Sequence, residues 1–211
     1  MGDEVNGHFN FNPMTLETFL ALSLYSFATS ITPGPNNLML LASGANFGLR
    51  RSVPHIFGII FGFVVMTITV GLGMTSVEQL LPGFVTALRY ISLAYMAWLA
   101  WRLAMSGSLQ PIDGDAKPMG FIAASLFQWV NPKAWAMALT AMAIYTTPEN
   151  HLVSVVLVAL YFEVVALPCM FVWAGFGVAL RGFLSVPARL RAFNILMALL
   201  LIGSTLPFAF G

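Results

Sequence analysis

The sequence has one cysteine and few charged residues. Cys169 is the only cysteine among 211 residues, so an internal disulfide and a two-cysteine redox relay are excluded. We interpret Cys169 as a small residue of the protein core. Charged residues make up 8% of the chain, and the mean hydropathy is +0.86. Soluble domains carry about a quarter charged residues, so this composition indicates a membrane protein.

Long apolar stretches separate the few charged residues. A hydrocarbon core of roughly 30 Å requires about 20 residues of α-helix to cross it. We predict six transmembrane helices, at about residues 16–45, 52–74, 84–105, 119–146, 152–180 and 188–209. These spans use most of the chain. The prediction is therefore an all-α membrane protein, with a polar segment at residues 1–15 and a single transmembrane domain at residues 16–209.

Basic residues are distributed unevenly between the predicted loops. The loops after the first, third and fifth spans hold Arg50, Arg51, Arg102, Lys117, Arg181, Arg189 and Arg191. The termini and the other two loops hold only Arg89. Because Lys and Arg accumulate on the cytoplasmic side, we expect both termini outside, in the periplasm of a Gram-negative source. The N-terminal segment lacks a signal-peptide pattern, so we expect it to stay attached.

Prolines interrupt the first and the fourth predicted spans. The interruptions and the polar residues beside them are Thr32, Pro33, Gly34, Pro35, Asn36 and Asn37 in the first span, and Asn131, Pro132 and Lys133 in the fourth. Proline lacks an N–H and its ring clashes with the preceding turn, so each break frees backbone carbonyls. Unpaired backbone groups cost several kcal/mol in hydrocarbon. We therefore expect both breaks to be packed in protein or to line a wet cavity.

The two breaks occupy corresponding places in two halves of the chain. Residues 16–105 and 119–209 each hold three predicted spans. Because three is odd, the halves must enter the membrane from opposite sides, which is the inverted-repeat arrangement of many secondary transporters. Paired breaks then indicate a substrate site near the midplane, where restarting helices point their positive ends at a carboxylate. Simple kinking of the helices is the alternative.

Two ionisable residues lie deep in the predicted spans. Lys133 adds a positive charge to the second break, and we include it in the predicted substrate site with the break residues above. Snorkelling of its side chain to the membrane surface is the alternative. Glu163 is the candidate coupling residue, because it is the only acid well inside a span. It could pair with Lys133, carry a proton or meet a substrate's ammonium group, and a purely local role is equally open.

Other features exclude several functions. The histidines His8, His55 and His151 are scattered and form no metal-ligand cluster. No nucleophile with a neighbouring base is visible, so we expect a transporter and not an enzyme. We expect no metal, no cofactor and no nucleic-acid partner. Gly58 and Gly62 predict a close helix-packing face, and packing faces of this kind would also allow a homodimer.

Three segments resemble a known family. The segments "TPGPNNLMLLASGANFGLRRS", "YISLAYMAWLAWRL" and "FQWVNPKAWAMAL" resemble the lysine exporter (LysE/RhtB) superfamily of bacterial amino-acid efflux proteins, over roughly residues 16–207. The doubled asparagine, "WLAWRL" and the "KP" before the fourth span are most similar to the branch of cysteine and O-acetylserine exporters. The resemblance implies six helices, an inner-membrane location and export driven by an ion gradient. Two positions depart from the family pattern: many relatives have a glycine near Ser92, and a neutral residue is expected where this sequence has Glu163.

We therefore expect a secondary exporter of a small, neutral amino acid that works by alternating access in the bilayer. The two halves would rock around a carboxylate held by the broken spans, and a proton is the expected coupling ion. A basic amino acid is an alternative substrate, although it would need an anion in addition to Glu163. An ion or metal exporter on the same scaffold is another alternative, and it would need several acids or histidines facing one another.

Overall fold

The structure is a computed structural model that describes residues 15–80, 83–106 and 117–210. All regular elements of this described part are helical, which confirms the predicted all-α class. The helices are α1 (Leu16–Ile31), α2 (Pro35–Leu80), α3 (Phe84–Ala104), α4 (Phe121–Phe127), α5 (Pro132–Tyr145), α6 (His151–Leu184) and α7 (Pro187–Phe210). A 3-10 turn, Gln128–Val130, joins α4 to α5. The predicted outer segment, residues 1–15, lies outside the described residues except for Thr15.

Three helical segments of the described chain are long and apolar enough to cross a membrane. They are Pro35–Gly73, His151–Leu184 and Pro187–Leu206. Two shorter segments, Leu16–Ile31 and Phe121–Val130, are also apolar. Many large apolar side chains point away from the protein core, as expected of a surface in contact with lipid. These observations agree with the membrane protein that the composition predicts.

Helix α2 consists of two segments joined by a sharp turn at Gly48. The turn residue has φ 79° and ψ 167°, a conformation open almost only to glycine. The hydroxyl oxygens of Ser43 and Ser52 lie 2.7 Å apart. In a continuous helix these two residues would be separated by about 13 Å along the axis. The chain therefore folds back at Gly48, and we call the segments before and after it α2a (35–47) and α2b (49–80).

Glycines bring α2a and α6 into backbone contact. A Cβ atom at Gly44 would lie 1.9 Å from the carbonyl oxygen of Ala174. A Cβ atom at Gly177 would lie 2.0 Å from the carbonyl oxygen of Leu41. Neither position has room for any side chain, so the two helices touch through their main chains. We call this contact the α2a–α6 seam.

A second seam joins α2b to α4 and confirms the close-packing face predicted from Gly58 and Gly62. A Cβ atom at Gly58 would lie 2.4 Å from the Phe121 carbonyl oxygen. One at Gly62 would lie 2.4 Å from the Ser125 carbonyl oxygen. The Ser125 hydroxyl also donates a hydrogen bond to the Gly58 carbonyl at 2.9 Å. Hydrogen bonds from serine hydroxyl groups to a neighbouring helix commonly join helices in membranes.

Two clusters of buried apolar side chains lie on either side of α2a and α4. The larger cluster draws on α1, α2, α4, α5 and α6 and includes Phe63, Trp135 and Phe162. The smaller cluster centres on Met96 of α3 and Leu201 of α7. Helices α3 and α7 therefore pack as a pair beside a group of five helices. The cavity described below lies within the group of five.

Candidate functional site

One cavity lies where α2a and α5 begin. Its empty space measures about 420 Å³, including the open mouth. The first turn of α2a contributes Pro35, Asn36 and Asn37 to its lining, and the second break contributes Asn131 and Lys133. Two segments about a hundred residues apart in the chain thus meet at one hollow. The positive ends of two helices face this space.

The first break is held open by side chains that bind its freed carbonyls. Helix α1 ends at Ile31, and Thr32 has extended backbone with φ −71° and ψ 147°. The Asn37 side-chain amide donates to the carbonyls of Ser30 and Thr32, both at 2.7 Å. The Trp173 indole N–H donates to the Ile31 carbonyl at 3.1 Å. These bonds satisfy backbone groups that proline leaves without helical partners.

The second break restarts as a well-capped helix. Asn131 has extended backbone, and its side-chain oxygen accepts a hydrogen bond from the Lys133 backbone N–H at 3.2 Å. Pro132 occupies the first helical position, where its missing N–H costs nothing. The Trp135 indole N–H donates to the Trp129 carbonyl at 2.9 Å. Asparagine and proline therefore begin α5 directly at the cavity.

Lys133 connects the second break to the first. Its ammonium nitrogen donates to the Thr32 carbonyl and hydroxyl oxygens, both at 2.9 Å, and to the Pro33 carbonyl at 3.2 Å. These three acceptors match the three N–H donors of an ammonium group. A Cβ atom at Gly34 would lie 2.7 Å from the Lys133 Cδ atom. Glycine at position 34 thus leaves room for the lysine side chain.

A second connection runs in the opposite direction, from Asn36 to Gln128. The Asn36 amide donates to the Gln128 side-chain oxygen at 2.8 Å, and the Gln128 amide donates back to the Asn36 side-chain oxygen at 3.1 Å. Gln128 is fully buried and also donates to the Ala124 carbonyl at 2.9 Å. Gln128 was not among the site residues predicted from the sequence. A lone amide four residues before Pro132, in an apolar span, was the available signal.

Glu163 projects from α6 into the same cavity. It is 5% exposed, and its Oε2 atom has no hydrogen-bond partner in the protein. Glu163 and Lys133 line one cavity without forming an ion pair, so the structure does not show the direct pairing that the sequence left open. They are the only charged side chains among the described lining residues. Most of the remaining wall is apolar and includes Ile59, Phe63, Met137 and Met170.

The other predicted site residues surround this lining without forming it. Thr32 is exposed and Pro33 is partly buried, and both contact Lys133 through oxygen atoms. Pro132 is buried beside Asn131. Substrate binding by the break residues stays a prediction. Within the described ranges, no group of three or more His, Cys, Asp or Glu residues could hold a metal ion.

Comparison with known proteins gives the family. Residues 27–210 match the family model described as LysE type translocator, and this range includes both breaks, the cavity and Glu163. The chain belongs to the LysE type translocator family. The resemblance that the three sequence segments indicated is therefore confirmed. Membership of this family points to a membrane transporter rather than an enzyme.

Several curated relatives carry the same name. A "Cysteine/O-acetylserine efflux protein" of Escherichia coli strain K12 is 34% identical over 143 residues, which cover 67% of this chain and 72% of the relative. A protein of that name from Klebsiella pneumoniae is 34% identical over 140 residues, or 65% of this chain and 70% of the relative. One from Shigella flexneri is 34% identical over 144 residues, or 67% and 71%. No solved structure matches the chain.

Proposed function

We propose that the protein is a secondary active exporter of a small, neutral amino acid across the bacterial inner membrane. The observation that carries this proposal is that two helix N-termini, Lys133 and Glu163 all line one cavity. A zwitterion requires this combination of one cationic and one anionic contact. The similarity to proteins named for cysteine and O-acetylserine efflux supports the substrate class.

The carboxylate of the substrate would bind at the helix N-termini. The first N–H groups of a helix have no partner within the helix, and Asn36 and Asn37 belong to the first turn of α2a. Lys133 adds a full positive charge at the same end of the cavity. Its present partners on Thr32 and Pro33 are neutral oxygens. A charged carboxylate is a stronger acceptor and can take over one of these N–H groups.

The side chain of the substrate would contact the apolar part of the wall. Ile59, Phe63, Met137 and Met170 offer no charge to a basic or acidic side chain. Once Glu163 binds the ammonium group, no second anion is left in the described lining for lysine or arginine. Burial of an unpaired charge is strongly unfavourable, so the cavity favours neutral substrates.

Reciprocal contacts between the breaks support the proposed inverted repeat of six helices. Lys133 directly follows Pro132 and reaches the first break, while Asn36 directly follows Pro35 and reaches Gln128, in the turn just before the second break. Exchange of equivalent positions is expected of two segments related by a two-fold axis. The turn at Gly48 also divides α2 into parts that fit the end of the first span and the beginning of the second.

Charge distribution supports the proposed orientation with both termini outside. Arg181 of α6 donates hydrogen bonds to the carbonyls of Ala45 and Asn46 at the end of α2a. Arg50 and Arg51 follow just after the turn at Gly48. Three arginines therefore gather at one end of the helix group, as expected at a cytoplasmic surface.

Efflux from intact cells tests the proposed function. Cells with and without the protein would be loaded in turn with labelled cysteine, O-acetylserine, threonine, homoserine, leucine and lysine. We expect expressing cells to lose one or more of the small neutral compounds faster than control cells, and to retain lysine. Equal retention of every compound would contradict the proposal. Faster loss of lysine alone would favour the basic amino-acid alternative.

A substitution at Lys133 tests the carboxylate contact. Lys133→Met should abolish export, because it removes the positive charge from the cavity and keeps the length of the side chain. Lys117→Met is the matched control, since Lys117 is exposed and does not line the cavity. Gel filtration and thermal unfolding in detergent would show whether each variant inserts and folds. Normal export by a folded Lys133→Met variant would disprove this contact.

A further inference from the structure

Glu163 is a buried acid for which the protein supplies no hydrogen-bond donor. Its side chain is 5% exposed, and Oε2 has no partner. Buried polar groups are almost always hydrogen-bonded, because each one left without a partner destabilises the folded protein. A carboxyl group with only a structural role would therefore be expected to have a protein partner. Because Glu163 lines the cavity, a ligand can supply the missing donor.

We propose that Glu163 is a single exchange site that holds either the ammonium group of the substrate or a proton, and that this exchange couples export to the proton gradient. This inference rests on the proposed function and deepens it. A primary ammonium group offers three N–H donors and a positive charge, so it satisfies an ionised carboxylate. A proton satisfies the same group by making it neutral.

The exchange follows from the cost of burying charge. An ionised and unpaired Glu163 in a closed cavity would lose its hydration without gaining a partner, so the empty carrier returns only after the carboxyl group is protonated. Substrate binding on the inner side releases that proton to the cytoplasm. Substrate release on the outer side leaves the carboxylate free to take a proton from outside. Each cycle therefore moves one substrate outward and one proton inward.

The charge balance makes the cycle electrogenic. With substrate bound, the ionised Glu163, the Lys133 ammonium and the zwitterion add up to no net charge. On the return step, the protonated Glu163 is neutral and Lys133 carries one positive charge. One positive charge therefore moves inward for each amino acid exported. A negative interior potential should accelerate export.

No other titratable group near Glu163 both lines the cavity and lacks a hydrogen-bond partner within the described residues. Lys133 of α5 lines the cavity, but its three N–H groups are bound to Thr32 and Pro33. The ring of Tyr25 of α1 packs on Phe162, and neither residue lines the cavity.

Of the remaining groups on α2 and α6, His55, Tyr161 and Cys169 lie outside the lining too. His55 is the strongest competitor, because it is 1% exposed and both of its ring nitrogens lack partners. Four residues separate it from Ile59, so it lies one helical turn from the cavity on the same face of α2b.

Proton release on substrate binding tests the inference directly. Purified protein in weakly buffered detergent solution, at mildly acidic pH, would be mixed with O-acetylserine, and a pH indicator would count the protons released. In the pH range where Glu163 is protonated before binding, we expect wild-type protein to release one proton per bound substrate. Its affinity should then fall by about tenfold for each unit of decreasing pH. Glu163→Gln should release none and bind with weak, pH-independent affinity.

Three variants control this result. Glu149→Gln removes the same charge from an exposed position and should behave as the wild type. Glu163→Asp keeps a carboxyl group and should restore proton release, even with altered affinity. His55→Gln should leave proton release unchanged. Retained release in Glu163→Gln, or loss of release in His55→Gln alone, would overturn the assignment of the site to Glu163.

Wild-type protein in proteoliposomes provides a test that does not depend on any variant. A pH gradient or a membrane potential that drives protons opposite to the direction of substrate movement should accelerate transport of O-acetylserine. Transport should also carry positive charge in the direction opposite to the substrate. Transport without proton release, pH dependence or current would overturn the exchange site and leave the proposed function intact. Absence of transport for every neutral amino acid would instead contradict the proposed function itself.

Discussion

Alanine at position 177 should destabilise the protein, whereas alanine at position 175 should not. Both glycines lie in α6, and replacement by alanine favours a helix by about 1 kcal/mol at either position. A Cβ atom at Gly177 would lie 2.0 Å from the Leu41 carbonyl oxygen, while one at Gly175 would meet no atom within 4 Å. The pair therefore separates steric overlap from helix propensity.

The magnitude follows from the geometry of the α2a–α6 seam. Real Cβ atoms essentially never approach another atom closer than 3.0 Å, so the two backbones must separate by about 1 Å. No side chain can rotate away, because the opposing atom belongs to the main chain of Leu41. Overpacking of this kind costs about 1–3 kcal/mol. We expect Gly177→Ala to be about 2 kcal/mol less stable than Gly175→Ala.

Thermal unfolding in a mild detergent measures this difference. For a chain of this size, each kcal/mol corresponds to about 2–4 °C, so the midpoint of Gly177→Ala should lie about 4–8 °C below that of Gly175→Ala. Gly175→Ala should unfold at or slightly above the wild-type temperature. Equal midpoints for the two variants would refute the proposed backbone contact between α2a and α6.

Two further predictions concern the break and the turn. Replacement of Asn36 or Gln128 by alanine should destabilise the protein, and the double variant should lose less folding free energy than the sum of the two single variants. The coupling free energy in this double-mutant cycle should be about 0.5–3 kcal/mol. Additive losses would show that the two amides do not interact. Gly48→Ala should cost about 1–3 kcal/mol although its Cβ atom would meet nothing within 4 Å, because the cost comes from the backbone conformation. An unchanged unfolding temperature would contradict that reasoning.

The residues of the two breaks could be identified from the sequence because their chemistry is unusual in hydrocarbon. Proline cannot continue a helix, and burial of Lys133 in lipid is too unfavourable, so both residues predict a cavity lined by protein. The inverted repeat also predicted that the two breaks meet at one site, but the atoms through which they meet could not be predicted. The hydrogen bonds from Lys133 to Thr32 depend on how α1 and α5 cross, which no local pattern encodes.

Other features could not be predicted from the sequence, because they also depend on which helix faces meet in the folded protein. Gln128 has an ordinary amide, and only its position opposite Asn36 makes it part of the site. The backbone contacts at Gly44 and Gly177 depend on which faces of α2a and α6 meet, and glycines are common throughout this chain. Gly58 and Gly62 could be recognised because their spacing within one helix is itself a packing signal.

The two seams limit how this transporter can move. Each seam fastens an element of the first half of the chain, α2, to an element of the second half, α6 or α4. If the halves pivoted as separate blocks, main chains in van der Waals contact would have to part at both places. The halves are therefore joined by main-chain contact at both seams, whereas the smaller cluster joins α3 and α7 to α2a and α4 through apolar side chains. A movement that leaves both seams intact has to divide the helices according to their packing and not according to their order in the chain.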